Sequence, residues 1–421
     1  MNKYDVIIIG TGPSGLGAAF ELISKNPKFN IALFDKEKIC SGGLLNDCKQ
    51  NYTFPIGFTQ EYWDQKSAQD YLKEVERHLE PNFLQKNNLD KYRARAKKID
   101  VSLIDIKQAH LGTDKSVILI KNLLKKLSYS GVDLFLKCNI SDLKLDRVIA
   151  ENGKTYFYKK LIIAPGRKGF SFLWKVMDKL KIDYIDNVVD VGIRLETLQE
   201  NYSIVGDYYD PKFYFPNKVR TFCTNSGRAF VTQEKYNNFN IVNGHSLSSE
   251  KGKNNYVNFA LLKTIKLKDP VRSGQKMAVF LARLANEIGG GKPIMQRIGD
   301  FRAGKRSKKE TFNDDLFYFK QTCHCTEGDL GLAVPSNIMR DIWSAIKKLD
   351  SICPGIMHPS TIMYYPEIKM YANRPKFVDK YFRVLESIYM IGDGAGTSRG
   401  ITGAWASGIR AARGILKEYK I

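Results

Sequence analysis

No stretch of this sequence approaches the roughly 20 consecutive apolar residues that a membrane-crossing helix requires. Runs such as residues 6–9 and 117–120 end after a few side chains, so no transmembrane segment is expected. The opening residues pass into a four-residue apolar run that stops at glycines, unlike the longer core of a secretory signal, which predicts a cytoplasmic chain. Cysteine is sparse and odd in number, seven in 421 residues without paired spacing, which fits reduced thiols better than a disulfide framework. Cys323-His324-Cys325 places both thiols along one strand face and has no CxxC partner elsewhere, so no metal site is expected. Histidine is scarcer still, at five residues. No period between 20 and 50 residues repeats and no low-complexity segment stands out, which sets aside solenoid and linker-rich architectures.

Acidic residues are outnumbered 44 to 66, leaving a net charge of +22. Such a basic protein favours acidic partners: nucleic acid, an anionic membrane surface or a phosphorylated small molecule. Much of the excess is lysine scattered among Asn and Ile, which genome composition explains equally well. The densest run, residues 302–309, holds five basic residues in eight and reads by default as a solvated loop. What the chain does have is interior material: 43% apolar residues, with 23 Phe and 22 Tyr, over a length that favours two or more lobes.

Tyr4-Asp5-Val6-Ile7-Ile8-Ile9 has the β-branched run of a strand buried on both faces of a parallel sheet. Gly10-Thr11-Gly12-Pro13-Ser14-Gly15 follows at once, and Leu16, Ala19, Phe20 and Ile23 recur at helical spacing beyond it. In a strand-to-helix turn Gly10 permits the tight bend, Gly12 lets backbone approach a pyrophosphate, and Gly15 brings the helix close to the strand. The helix start at Pro13 and Ser14 then turns free N–H groups toward the phosphates. A second strand, Ile31-Ala32-Leu33-Phe34, ends at Asp35 with Lys36 beside it, placing a carboxylate where ribose hydroxyls are bound. This unit binds a dinucleotide but does not separate NAD from FAD.

The other end of the chain separates them. Residues 387–391 form another short strand running into Gly392-Asp393-Gly394-Ala395-Gly396, followed by Gly400-Ile401-Thr402-Gly403 and a helix over residues 404–419. The arrangement resembles the second flavin signature of the glutathione-reductase-like FAD superfamily. The resemblance implies that Asp393 binds the ribityl chain and that the helix beginning at Gly400, Ile401 and Thr402 faces the flavin pyrimidine, where its dipole stabilises the reduced anion. Residues 160–167, with Ala164 and Gly166, resemble the strand and turn that end the first pass through such a domain. Ser41-Gly42-Gly43, residues 190–196, Arg220-Thr221-Phe222-Cys223, residues 296–301, Tyr365-Pro366-Glu367-Ile368-Lys369 and residues 392–403 together resemble a poorly characterised family of FAD-dependent dehydrogenases. Gly42 and Gly43 join the implied cofactor contacts, as does the backbone near Ile140 for adenine. At residues 223–227 the chain departs from that family, where a proline is expected before a glycine.

The expected fold is therefore α/β: a Rossmann-like FAD-binding domain, with a parallel sheet and a small antiparallel sheet, plus an α+β substrate lobe. Residues 1–170 and 375–421 are assigned to the first and residues 171–374 to the second. Thr113-Asp114 opens a helix through Leu127, closed by Gly131 before a strand; Asn152-Gly153 marks a hairpin within residues 143–158; and helices are expected over residues 274–288 and 336–349. The expected activity is FAD-dependent hydride exchange with an organic substrate held between the lobes, an anionic one being compatible with the basic charge. Glu367, Arg194 and His245, the last in a turn-like Asn243-Gly244-His245-Ser246, are its catalytic candidates. A redox disulfide of Cys40 and Cys48 is disfavoured, since disulfide reductases carry closer cysteines and a second nucleotide motif, whereas Gly289-Gly290-Gly291 follows a helix. NAD(P)H is then a transient reductant, or electrons pass through a partner protein. Two alternatives stay open: an FAD-dependent RNA-modifying enzyme, and a non-redox binding protein on the same fold.

Overall fold

A computed structural model of the chain describes residues 2–38, 52–111, 113–185, 188–236, 239–247, 254–266, 273–313, 319–370 and 373–420. Two compact units divide the chain. The first begins with β1 (Lys3–Ile9), α1 (Pro13–Lys25) and β2 (Ile31–Asp35). It continues through α2 (Thr113–Tyr129), β3 (Asp133–Leu136), β4 (Ile140–Leu143), β5 (Arg147–Ala150) and β6 (Thr155–Ile163). β1 pairs in parallel with β2 and β6, and β2 with β3. Side chains alternate across the sheet, so Val6 and Ile8 join the core under α1 while Ile7 and Ile9 join the core on the opposite face. The Asn152-Gly153 turn, with Gly153 at φ +79°, joins β5 to β6 as an antiparallel pair.

The second unit is built on a nine-stranded sheet that includes β7 (Val189–Leu198), β8 (Val219–Tyr236) and β10 (Tyr256–Ile265), with β9 (Phe239–Leu247) paired to β8. Helices α3 (Gly274–Ile288) and α4 (Ser336–Ile352) pack on it, and β11 (Ile362–Met370) pairs antiparallel with β7. α4 buries Ile338, Ile342, Ala345, Ile346 and Leu349 at helical spacing.

The chain then returns to the first unit with β12 (Ile388–Met390) and α5 (Ile401–Glu418). β12 adds in parallel to β6, so the first and last segments share one sheet in the order β12-β6-β1-β2-β3. α5 packs on α1 through glycines. A Cβ at Gly17 would stand 2.4 Å from the Trp405 carbonyl oxygen, and one at Gly408 would stand 2.0 Å from that of Ser14. Hydrogen is the only side chain that fits at either position.

The unit boundaries differ from the sequence assignment. Leu84–Asp105 belongs to the second unit, because Ser102–Ile104 pairs with Lys212–Phe215 at the edge of its sheet. The helix Phe170–Lys179 belongs to the first, because Leu173, Val176 and Met177 complete the core around Ile7, Ile9 and Ile163. The turn-like reading of residues 243–246 is also corrected, and the segment that departs from the family pattern proves to be strand. Residues 243–246 lie inside β9, and residues 223–227 lie inside β8, where the register with β10 shifts between Phe222 and Asn225 and Cys223 takes φ +51°. Among the described residues no helix is long and apolar enough to cross a membrane.

Gly408→Ala is expected to destabilise the chain by roughly 1–3 kcal/mol, since the added methyl meets backbone that cannot move aside. A lowered urea midpoint at unchanged slope reads this out; an unchanged midpoint contradicts the packing argument.

Candidate functional site

The turn after β1 is set by backbone crowding. Gly10 sits at φ +107°, and a Cβ there would lie 2.2 Å from the Ala164 carbonyl oxygen, so the turn is pressed against the end of β6. A Cβ at Gly15 would lie 1.9 Å from the Gly10 carbonyl oxygen. Gly12 differs: nothing stands within 4 Å of where its Cβ would be. It is the N-cap of α1, Pro13 occupies the first turn, and no side chain caps the helix. The first turn therefore presents backbone N–H groups beside open space, a cradle for an anion.

Asp35 ends β2 at the same edge. Its Oδ2 accepts hydrogen bonds from the Thr11 backbone N–H at 2.8 Å and the Thr11 hydroxyl at 2.7 Å, and Oδ1 accepts from the Glu37 N–H at 2.9 Å. A cleft of about 380 Å³ opens beside it, lined by Gly10, Asp35, Lys36, Ile140, Pro165 and Lys175 among others. That volume lies in the range of about 300–1,000 Å³ usual for small-molecule sites. Ile140 is among the residues that line this cleft.

The C-terminal glycines interlock with this turn. Gly392 has φ +82° and would drive a Cβ to 2.4 Å from Ser14 Oγ, and a Cβ at Gly394 would meet the Gly166 carbonyl oxygen at 2.5 Å. Asp393 accepts from the Ser398 hydroxyl at 2.7 Å and from the Gly400 N–H at 3.0 Å, and Arg167 Nε lies 3.9 Å from its Oδ2. The aspartate therefore holds the loop that launches α5. Gly400, at φ +92° with open space around it, is the N-cap of α5, and again no side chain caps the helix. Thr402 directs its hydroxyl to the Thr53 carbonyl at 2.7 Å, which leaves its backbone rather than its side chain for any ligand. Gly10, Gly12, Pro13, Ser14, Gly15, Asp35, Lys36, Ile140, Ala164, Gly166, Gly392, Asp393, Gly400, Ile401 and Thr402 all belong to the first unit. Gly42, Gly43, Cys40 and Cys48 lie outside the described residues. Sequence reasoning missed Thr11, which orients Asp35, and Arg167, which pairs with Asp393; position beside a named motif residue was the available signal for each.

In the second unit, Arg194 and Glu367 meet. Nε and Nη2 of Arg194 bind the two oxygens of Glu367 at 2.7 and 2.8 Å, with both side chains fully buried. Lys369 adds a contact to Glu367 at 2.9 Å, and Arg194 Nη1 donates to Asn258 Oδ1 at 2.7 Å. This bidentate pair spans two adjacent strands of one sheet, β7 and β11, rather than tethering lobes. His245 is not part of it. The vacant side of Gly244 faces Asn258, Arg194 and Asn225, so strand alternation turns His245 to the opposite face, where its ring lies 5.5 Å from Phe230.

The family model described as "Pyridine nucleotide-disulphide oxidoreductase" matches residues 4–207, just under half of the chain. An uncharacterised protein of Methanosarcina barkeri is 33% identical over 87 residues, 20% of this chain and 22% of that one. An uncharacterised protein of Clostridium beijerinckii is 24% identical over 350 residues, 75% of this chain and 63% of that one. The matched chain thus spans 22% and 63% of the lengths of these two relatives. Among solved structures, glycine oxidase from Bacillus cereus superimposes with a TM-score of 0.41 at 12% identity, covering 99% of this chain and 95% of that one. The glycerol-3-phosphate dehydrogenase from Bacillus halodurans, complexed with FAD, does so with a TM-score of 0.41 at 11% identity, covering 100% and 65%.

The Rossmann-like unit with its two uncapped helix starts has the build of a dinucleotide-binding domain, and the family model that residues 4–207 match is one of oxidoreductases. The residues present fit FAD: open backbone at Gly12 and Gly400, with a cleft beside Asp35.

Gly12→Val is expected to abolish FAD retention while leaving the flavin-free unfolding midpoint nearly unchanged, because the added side chain enters empty space. Visible absorbance and thermal unfolding separate the two; full flavin occupancy contradicts the cradle. Glu367→Gln, which leaves Arg194 buried beside a neutral partner, is expected to cost up to about 3–5 kcal/mol. Combining it with Arg194→Met is expected to restore much of that loss in urea unfolding.

Proposed function

We propose that the chain uses FAD to exchange a hydride with a small organic substrate, as a dehydrogenase or reductase of the glutathione-reductase-like superfamily. The observation that carries this reading is the pair of uncapped helix N-termini, α1 after Gly12 and α5 after Gly400, linked by the interlocked turns at Ser14, Gly166, Gly392 and Gly394. FAD supplies the two-electron chemistry. Gly10, Gly12, Pro13, Ser14 and Gly15 then bind the pyrophosphate. Asp35, oriented by Thr11, and Lys36 bind the adenosine ribose, and the backbone at Ile140 meets adenine. Ala164, Gly166, Gly392 and Asp393 border the ribityl chain, while the first turn of α5, at Gly400, Ile401 and Thr402, places N–H groups and positive dipole beside the flavin pyrimidine.

Of the three catalytic candidates, His245 remains the proposed proton carrier. Arg194 and Glu367 satisfy one another and serve as positioning residues in the sheet. NAD(P)H is proposed as a transient reductant, and an electron-transfer protein as the alternative donor. The same proposal includes an anionic substrate and a cytoplasmic setting.

The second reading, an FAD enzyme acting on RNA, draws on the net charge of +22 and on the exposure of Arg302, Lys305, Arg306, Lys308 and Lys309. A steep fall in RNA affinity with salt supports it, and absence of RNA binding removes it.

Anaerobic mixing of the flavin-loaded full chain with NADH, NADPH and a panel of small organic acids and alcohols tests the first reading. Bleaching of the flavin by at least one reductant, followed by reoxidation with a substrate, is the expected result. A purified chain that neither carries nor takes up FAD overturns it.

A further inference from the structure

The sulfurs of Cys323 and Cys325 lie 3.6 Å apart in the second unit. They do not ride on a strand face, as spacing alone suggests. The Cys325 N–H donates to the Cys323 carbonyl at 3.1 Å, closing a three-residue turn that draws both side chains to one side. Val231, Val242, Met295, Phe319 and Ile362 surround the pair, and the two residues are 7% and 6% exposed, shielded from bulk water without being sealed.

Polar groups hold this turn in place. Gln233 donates to the His324 carbonyl at 2.7 Å. Glu196, fully buried on β7, accepts from the Thr322 N–H at 3.2 Å and from the Tyr364 hydroxyl at 2.5 Å, which anchors the residue just before the pair. Burial pushes the Glu196 carboxyl up from its ordinary range. The sulfur–sulfur hydrogen bond acts oppositely on its two ends, drawing the Cys323 thiol down and pushing Cys325 up. The direction favours Cys323 as the attacking sulfur, and the short sulfur–sulfur contact places Cys325 to follow it. Among the described residues no three His, Cys, Asp or Glu side chains cluster so as to hold a metal ion.

We propose that Cys323 and Cys325 form an intramolecular dithiol–disulfide couple that exchanges two electrons with a small aliphatic disulfide. The Cys323 thiolate attacks one sulfur of that disulfide, breaking its S–S bond and releasing one thiolate. Cys325 gives up its proton and attacks Cys323 Sγ, forming the internal S–S bond and expelling the second thiolate. The departing thiolates take up the two protons that the cysteines lose. One external disulfide is reduced to two thiols while the pair is oxidised. The sulfurs must approach from 3.6 Å to the bonded distance of about 2.05 Å. The ring closed across a single intervening residue is small and strained, so the couple is expected to be oxidising, and glutathione disulfide is a better probe than oxidised dithiothreitol. The proposal is independent of the flavin reading, because a flavin-free chain titrates in the same way.

The intact full chain is equilibrated anaerobically with glutathione and glutathione disulfide at a series of ratios, quenched in acid, alkylated in denaturant and digested. As the ratio turns oxidising, the peptide carrying both cysteines is expected to lose its two alkylation sites together, with no glutathione attached, and reduced dithiothreitol is expected to restore both. Cys325→Ser is expected to stop at one glutathione on Cys323, and Cys323→Ser to take up none. Two alkylatable thiols at the most oxidising ratio, or a lasting glutathione adduct on either cysteine of the unaltered chain, overturn the proposal.

Discussion

The first unit depends on backbone meeting backbone at glycines. Gly10 against Ala164, Gly394 against Gly166, Gly17 against Trp405 and Gly408 against Ser14 are approaches at which a methyl group would stand within 2.6 Å of a carbonyl oxygen. The last two join segments nearly 400 residues apart in the chain, and together the four bring α1 and α5 into contact with their uncapped starts linked through one set of turns. Dispersion and hydrophobic burial hold the helices together. The missing side chains decide how close they come. The close packing leaves the main-chain N–H groups of both helix starts uncapped, where a bulkier packing would hold them apart.

The second unit solves a different problem. Its sheet carries buried charge: Arg194 with Glu367 and Lys369, Arg220 with Asp190, and Lys212 with Asp210. Each pair spans strands or neighbouring residues in a place with little water, so every member is held in one geometry by its partner. Such a sheet is rigid and particular about register. The register shifts between Gly192 and Arg194 and between Phe222 and Asn225 locally bend the strands beside the buried Arg194 cluster.

Much of the first unit was legible because its signals are local. β1, the Gly10–Gly15 turn, α1 and β2 follow one another within 35 residues, and Gly15 answers a constraint within the same turn, the Gly10 carbonyl. The Asn152-Gly153 hairpin and the helices Gly274–Ile288 and Ser336–Ile352 were legible for the same reason. Residues 84–105 were not, because their allegiance rests on pairing Ser102–Ile104 with a strand more than 100 residues later. Asn243-Gly244-His245 resembles a turn in composition, yet Gly244 is there because Asn258 and Arg194 occupy the space of a side chain.

What the sequence determined by itself was the opening strand, glycine turn and helix of the first unit and the second glycine turn before its last helix, since a strand, a glycine turn and a helix start are properties of consecutive residues. What only the tertiary structure decided was which side chains face one another. Arg194 found Glu367 across 173 positions, His245 was turned away from both, and Cys323 and Cys325 were folded to within 3.6 Å. Strand register and tight turns set those encounters, and both depend on packing against distant segments that no local pattern encodes.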